Sequence, residues 1–491
     1  MKPRPAIIWD MSKKSSPYLI FFGASAVALS AFHPSVIFSL AVTQLLLILL
    51  FVVGRQWGLR RSRDYSTEEL PSEMHSSPFF SIQLATYSEP PQLVIQTLES
   101  LRDLKGAPYE VLVVDNNTPD PELYQPVRKY CEENGFRFFH FDNVQGAKAG
   151  ALNLVRNKVD ERASHVIILD ADYVAEPDLL EQAARHIGGP GLALLQFPQS
   201  YRNGSSRCPL AHEYGSFFDV YMTTAQESGS VLSTGTAAVV ERQALEAVGG
   251  WPTTTITEDA DLGLLFASQG YRTLYVHQPV ARGLMPTCLS EFLKQRSRWI
   301  KGNLQCLGKH RLSELPPEGR CSAFLQLTAW VSPLIFYPLI VLVATGHSLA
   351  GAGGSLPHSA LALANASAGI YLAFSTLFFL SSDPERPFIT RLEALLVHLG
   401  TFWTSLGAVV EALSGRELKF ERTSKEISDG GQSLSKGPVA AALLCLVLAT
   451  MAFPTSPQLA LAWGIMSLPW VGLTYLEHVL QNIEMRSLSN V

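Results

Sequence analysis

Residues 17–53 contain no Asp, Glu, Lys or Arg, and 321–480 holds further long uncharged runs. A helix of about 20 apolar residues spans the hydrocarbon core of a bilayer. These regions therefore set the frame: membrane segments before and after an ordinary polar stretch at 65–315. At 491 residues the chain exceeds one average domain. Its net charge of -5 gives no reason to expect nucleic-acid binding. Six scattered cysteines without a Cys-x-x-Cys suggest neither a zinc site nor a disulfide framework, and fit a reducing cytosol.

The start is basic (Lys2, Arg4, Lys13, Lys14), as in a signal peptide. Two apolar runs in tandem, 17–32 and 36–53, parted only by His33 and Pro34, predict instead a transmembrane hairpin within 1–54. The basic stretch 55–63 follows, and the positive-inside rule puts it, with the polar domain, in the cytosol. Later apolar runs fall at 322–346, 358–381, 391–413, 437–453 and 459–478. The loop 347–357 lacks Lys and Arg and is expected outside; 416–425 carries four basic residues and is expected inside. Parity then keeps 391–413 from crossing. Glu393 and Glu411 lie 18 residues apart, about five helical turns, and share a face with Thr404 near it. His398, Thr401 and Ser405 extend that face to one side, which predicts an amphipathic helix in the interface. The expected count is two spans before the polar domain and four after it.

Within that domain, Val166-Ile167-Ile168-Leu169-Asp170-Ala171-Asp172 reads as a buried strand ending in two acids. Open α/β sheets bind ligands at that edge. Two carboxylates there repel unless a cation neutralises them, and oxygen ligands suit Mg²⁺ or Mn²⁺. Phe80–Tyr87 predicts another strand, followed by a helix that Ser88-Glu89-Pro90-Pro91 would cap. Val111–Asn117 predicts a further strand ending in Asp115. Repeated strand–helix units argue for a mostly parallel sheet with a nucleotide site. Further on come Thr257-Glu258-Asp259 and Gln295-Arg296-Ser297-Arg298-Trp299. Gln295, Arg298 and Trp299 share one helix face. Arg and Gln suit a diphosphate, and an indole offers a flat surface for a sugar.

Taken together, these residues resemble the processive family-2 glycosyltransferases, the group of cellulose, chitin and hyaluronan synthases. The resemblance covers about 80–310 and rests on Asp115, the Asp170/Asp172 pair, Asp259, and Gln295, Arg298 and Trp299, in that order. Smaller matches are Thr86-Tyr87, Glu89, Ala147-Lys148-Ala149-Gly150 and Gln196-Phe197-Pro198. Phe420, Thr423 and Lys425, within 414–436, match the spacing of a gating loop, although Arg422 stands where cellulose synthases have Val. Asp115-Asn116-Asn117-Thr118 and Gly283-Leu284-Met285-Pro286 look more like bacterial β-1,3/β-1,6-glucan and cyclic glucan synthase domains. No room is seen for a PilZ-type domain after residue 480, so control by cyclic di-GMP in cis is not expected.

The resemblance implies an α/β domain of GT-A type inserted between transmembrane helices, multi-pass in a bacterial inner membrane. It implies inverting transfer from a UDP-sugar, glucose being favoured, to a growing β-glucan threaded across the membrane. Asp259 would be the general base. Thr86, Tyr87, Glu89, Asp115, Lys148, Asp170, Gln295 and Arg298 would hold the nucleotide sugar, and Trp299 and Glu258 the acceptor. Asp170 and Asp172 would hold Mg²⁺ or Mn²⁺, and Phe420, Thr423 and Lys425 would close over the donor. Membrane lipids are expected partners, and accessory export subunits are left open. Two other readings stand beside this one. A channel without chemistry would leave the acids unused. A non-processive transferase acting on a lipid carrier would have less need of Gln-x-x-Arg-Trp or a gating loop. Polymer as against single-sugar lipid separates them.

Overall fold

The computed structural model describes residues 34–61, 78–310, 312–349, 355–415 and 436–489. The first apolar run and the segment with Phe420, Thr423 and Lys425 lie outside them. The chain divides into two compact units, one centred on Gly54–Val331 and the other on Ser332–Leu406 with the first and last apolar helices.

Among the described residues the first unit is built on ten strands: β1 (Phe79–Thr86), β2 (Tyr109–Asn116), β3 (Arg137–Phe141), β4 (Ala163–Asp170), β5 (Val174–Ala175), β6 (Leu192–Gln196), β7 (Ser200–Tyr201), β8 (Ala238–Glu241), β9 (Arg272–Tyr275) and β10 (Ala281–Gly283). Seven form a sheet in the order β3-β2-β1-β4-β8-β6-β9, and β5-β10-β7 form a small second sheet. Strands β3, β2, β1 and β4 run parallel, while β8 is antiparallel to both neighbours. Ile167, Leu169, Val111 and Val113 pack on one face; Val166 and Ile168, and Leu112 and Val114, pack on the other. Both faces are covered, so the strands read as continuous apolar runs without alternation. Each such side chain contributes about 1.5–3 kcal/mol by leaving water.

Four helices carry the site: α1 (Ala147–Val155), α2 (Glu258–Ser268), α3 (Leu289–Lys309) and α4 (Pro317–Thr328). Two local expectations change. The helix after β1 spans Pro91–Ser100, with Pro90 at its N-cap and no side-chain cap bond. Ser88 lies at positive φ, and its N–H donates to Thr118 Oγ1 at 2.8 Å. The apolar run 322–346 is not one helix. It breaks between Thr328 and Tyr337, where Pro333 removes a backbone donor. Before the break, Ala323 and Leu327 of α4 pack with Leu264 of α2 and Cys306 of α3. That half of the run is core of the first unit.

In the second unit, Ser35–Gly54, His358–Ser381, Phe388–Leu413 and Pro457–Ile483 are long and apolar enough to cross a membrane, by length and composition; Tyr337–Leu349 and Lys436–Ala452 are shorter apolar helices. Buried polar side chains bond across helices, as hydrocarbon surroundings require: Gln44 donates to Ser367 at 2.9 Å, and Tyr337 to Asn365 at 2.7 Å. The stretch 391–413, expected as one amphipathic helix, falls in two, Phe388–Gly400 and Phe402–Leu413. Part of its polar face is turned inward. His398, Thr401 and Ser405 are buried. His398 meets Tyr371 Oη at 3.1 Å, Thr401 donates to the His398 carbonyl, and Ser405 Oγ accepts from Ser332 N.

Candidate active site

Strand register brings the acids together. Thr86 pairs with Asp115, and Ala85 with Asp170, at the C-terminal edge of β1, β2 and β4. The Thr86 and Thr118 hydroxyls each donate to Asp115 Oδ1 at 2.8 Å, and His140 Nδ1 meets Oδ2 at 2.8 Å. Tyr87 follows β1 directly and is 40% exposed, with Glu89 two residues on.

Lys148, in the first turn of α1, donates to Asp170 Oδ1 at 2.5 Å and to the Gly235 carbonyl at 2.6 Å. Burial works against its charge, but Asp170, then Glu258 and Asp259, outweigh it and hold the ammonium above the ordinary Lys value. Part of the neutralising cation that the paired acids demand is thus Lys148. Asp172 is buried, and its Oδ2 accepts from Leu284 N, just past β10, at 2.8 Å. Gly235 belongs to a loop that Gln196 holds from both ends of its amide. Nε2 donates to the Thr236 carbonyl at 2.8 Å, and Oε1 accepts from Thr234 N at 2.9 Å. Thr236 Oγ1 in turn accepts from Asp170 N.

Glu258 and Asp259 open α2, where acids suit the positive end of the helix dipole. Gly235 (φ +83°) faces Asp259 so closely that a Cβ there would lie 2.7 Å from Oδ2. Burial pushes the Glu258 carboxyl up to about 7, with help from Asp259, and raises Asp259 as well, against backbone N–H groups, Lys148 and Arg298. Arg298 feels the charges of Glu258, Asp259 and Asp170, and burial pulls its pKa below the usual Arg value; a guanidinium stays charged nonetheless. A small cavity is lined by Lys148, Gly235, Glu258 and Asp259, with Ile168 and Trp251 as apolar wall. Asp261, fully buried, accepts from Thr255 at 3.0 Å and Lys309 at 2.9 Å and meets His310, tying α2 to the end of α3.

On α3, Gln295 Oε1 accepts from Tyr214 Oη at 2.6 Å, which leaves its Nε2 to donate. Trp299 lies edge-on to Tyr214 at 5.8 Å and tilted to Trp330 at 5.7 Å. Arg296, 1% exposed, pairs with Glu213 at 2.7 Å and sits 3.8 Å over Trp330. Gly302 lets α3 meet Thr257, since a Cβ would lie 2.5 Å from its side chain. Gln305 accepts from Ile256 N at 3.0 Å beside it. Helix α3 is thereby fixed to the segment that carries Asp259.

The structure gathers Lys148, Asp170, Glu258, Asp259 and Arg298 at one place, and Thr86 and Asp115 beside them on the same sheet edge. Sequence reasoning missed Thr118, His140, Gly235, Thr236, Glu213, Arg296 and Trp330. Only Ser233-Thr234-Gly235-Thr236, small polar residues just before an apolar strand, left a local signal. Among the described residues no group of three or more His, Cys, Asp or Glu is placed to hold a metal. Mg²⁺ and Mn²⁺ commonly take one or two carboxylates and complete their shell from substrate phosphates. Asp170, with its side chain 42% exposed, and Asp172 fit that donor set.

A mixed sheet with acids at its parallel C-terminal edge defines a GT-A-like glycosyltransferase fold, here flanked by apolar helices. The fold matches the mannosyltransferase PcManGT of Pyrobaculum calidifontis, solved with GDP-Man and Mn²⁺, with a TM-score of 0.55 and 19% identity over 78% of this chain and 100% of that one. Residues 165–382 match the family Glycosyl transferase family group 2. The cellulose synthase catalytic subunit [UDP-forming] of Xanthomonas axonopodis is 29% identical over 48% of this chain and 33% of its own length. Glucomannan 4-beta-mannosyltransferase 2 of Arabidopsis thaliana is 31% identical over 39% of this chain and 38% of its own. The matched stretch thus spans about a third of these curated relatives. Over these stretches the chain is similar to family-2 glycosyltransferases of the cellulose synthase-like kind.

Proposed function

We propose that the protein is a membrane-embedded inverting glycosyltransferase that polymerises a β-glucan from UDP-glucose and threads it across the bacterial inner membrane, with its catalytic domain in the cytosol. The observation that carries the chemistry is the half-buried cluster of Asp259, Glu258, Lys148, Arg298 and Asp170 beside the nucleotide edge. Asp259 takes the proton from an acceptor hydroxyl as that oxygen bonds to the anomeric carbon and the bond to the diphosphate oxygen breaks. Burial raises its pKa above the usual carboxylate value, which makes it a better proton acceptor. Arg298 and Lys148 stabilise the charge that gathers on the departing UDP. Asp170 and Asp172 would hold Mg²⁺ or Mn²⁺, which supplies further positive charge to the diphosphate. Thr86, Tyr87, Glu89 and Asp115 hold the uridine, Gln295 contacts the diphosphate, and Trp299 with Glu258 receives the terminal sugar of the acceptor. Phe420, Thr423 and Lys425, outside the described residues, are assigned to a gating loop by their spacing alone.

The test is incubation of membranes with a panel of UDP-sugars and Mg²⁺ or Mn²⁺, then linkage analysis of the product. Long polymer from UDP-glucose supports the reading; a single-sugar lipid would replace it with the non-processive one. Asp259→Asn should abolish transfer while UDP still binds, and near-normal activity in that variant removes Asp259 from the mechanism.

A further inference from the structure

Three donors converge on Asp115, and they leave it almost no free acceptor capacity. An ionised carboxylate has about four lone-pair sites, two on each oxygen. Oδ1 accepts from Thr86 and from Thr118, both at 2.8 Å, and is full. Oδ2 faces His140 Nδ1 at 2.8 Å. A carboxylate only accepts, so the hydrogen is on Nδ1. One site remains, on Oδ2.

The arrangement is built into the sheet. Thr86, Asp115 and His140 occupy one row across β1, β2 and β3. Tyr124 stacks on the imidazole at 4.1 Å and 19°, and Asp142 Oδ1 lies 3.5 Å from its other nitrogen. The ring is 14% exposed at its side chain and the Asp115 carboxylate 4%, so a ligand reaches Asp115 along a narrow approach.

We infer that His140 is a specificity-determining residue for the nucleotide base: by filling one site on Asp115 Oδ2, it leaves a single acceptor for the ligand. Uracil presents one ring N–H between two carbonyls and needs one acceptor. Guanine presents two adjacent N–H groups and needs two acceptor sites. Oδ1 is spent on the two threonines and His140 takes one site on Oδ2, so guanine would bury one donor unpaired, and a missing partner discriminates strongly; without His140 both sites on Oδ2 are open to the two N–H groups. The inference rests on the reading of Asp115 as the partner of the base. It bears on a live choice, because the proteins similar to this chain include a UDP-forming synthase and a mannosyltransferase solved with GDP-Man.

The experiment is titration calorimetry of the full-length protein in detergent with UDP and with GDP, beside thermal melting. Wild type should prefer UDP. In His140→Ala the ratio of the GDP to the UDP dissociation constant should fall by about tenfold, the worth of one hydrogen bond to a charged group. His140→Asn, which retains an N–H donor, should recover much of it. Tyr124→Leu, which frees the ring without removing the donor, should lower the ratio in the same direction and serves if His140→Ala does not fold. An unchanged ratio in the variants that fold, or equal weakening of both nucleotides, overturns the inference. Asp115→Asn separates it from the reading beneath it. If that variant binds UDP as well as wild type, the nucleotide assignment of Asp115 itself has failed. If it loses UDP while His140→Ala keeps the ratio, only the role of His140 has failed.

Discussion

Gly235→Ala tests how closely the base is positioned, without touching a charged group. Gly235 has φ +83°, and an added Cβ would stand 2.7 Å from Asp259 Oδ2, where ordinary contact begins at 3.4 Å. The left-handed backbone alone costs an L-residue about 1–2 kcal/mol. The contact needs a further 0.7 Å (3.4 − 2.7), and the carboxylate can supply it only by turning away from the cavity. The loop is otherwise pinned: the Gly235 carbonyl holds Lys148, and Gln196 holds its neighbours Thr234 and Thr236. A misplacement of about 1 Å in a reacting group can cost up to about 10²-fold in rate, so kcat should fall roughly tenfold to fiftyfold. UDP release measured by a coupled assay gives kcat, and calorimetry gives UDP affinity. The expected pattern is a large loss in kcat, a modest loss in melting temperature and near-normal UDP binding. A kcat within about twofold of wild type, with the melting temperature lowered, would mean that the glycine serves only its backbone angle and that Asp259 has room to spare.

The kcat–pH profile should fall as pH drops through about 7, because the half-buried Glu258–Asp259 pair then takes up a proton and a base works only deprotonated; a flat profile down to pH 5 would refute this. Trp299→Ala should shorten the product and slow elongation by about tenfold, from about 1–2 kcal/mol of lost stacking, while UDP affinity holds; equal loss of both would make the indole purely structural. Labelling of introduced cysteines from outside should reach position Gly353 and not Ser424; outside labelling at Ser424 would mean that 391–413 spans the membrane.

What the sequence disclosed followed from burial. β4 and β2 are covered on both faces, so Val166–Leu169 and Val111–Val114 had to be unbroken β-branched or aliphatic runs, and the acids that end them marked the sheet edge. The Gln-x-x-Arg-Trp face was legible because helical spacing is regular. The missing half of the site consists of partners far apart in the chain. Nothing local marks Gln196 as the clamp of Thr234, 38 residues on, or Lys148 as the partner of Asp170, 22 residues on. Hydropathy also overreached. The run 322–346 is apolar because α4 buries Ala323 and Leu327 against α2 and α3, and a protein core and a bilayer ask for the same side chains. On 391–413 the sequence could not tell which polar residues are paired inside the protein: His398, Thr401 and Ser405 have partners there and need no water, whereas Glu411 is exposed.

Charge balance leads to the last prediction, the need for a divalent cation. Four carboxylates line the reaction edge: Asp170, Asp172, Glu258 and Asp259. Lys148 and Arg298 stand against Asp170, Glu258 and Asp259, and Arg202 is within electrostatic reach of Asp172. Four negative and three positive groups leave one negative charge, and the raised pKa of the Glu258–Asp259 pair brings the site close to neutral near pH 7. A nucleotide-sugar diphosphate adds about two negative charges, in a setting where burial already penalises the Glu258 and Asp259 carboxyls; one Mg²⁺ or Mn²⁺ shared between Asp170, Asp172 and the phosphates would offset them. Chelation by EDTA should therefore weaken UDP binding itself as well as transfer, and either ion should restore both. Asp172→Asn should lower the affinity for Mn²⁺ in the presence of UDP, read by calorimetry apart from any turnover. UDP affinity unaffected by EDTA would show that Lys148 and Arg298 alone balance the diphosphate and that Asp170 and Asp172 hold no metal.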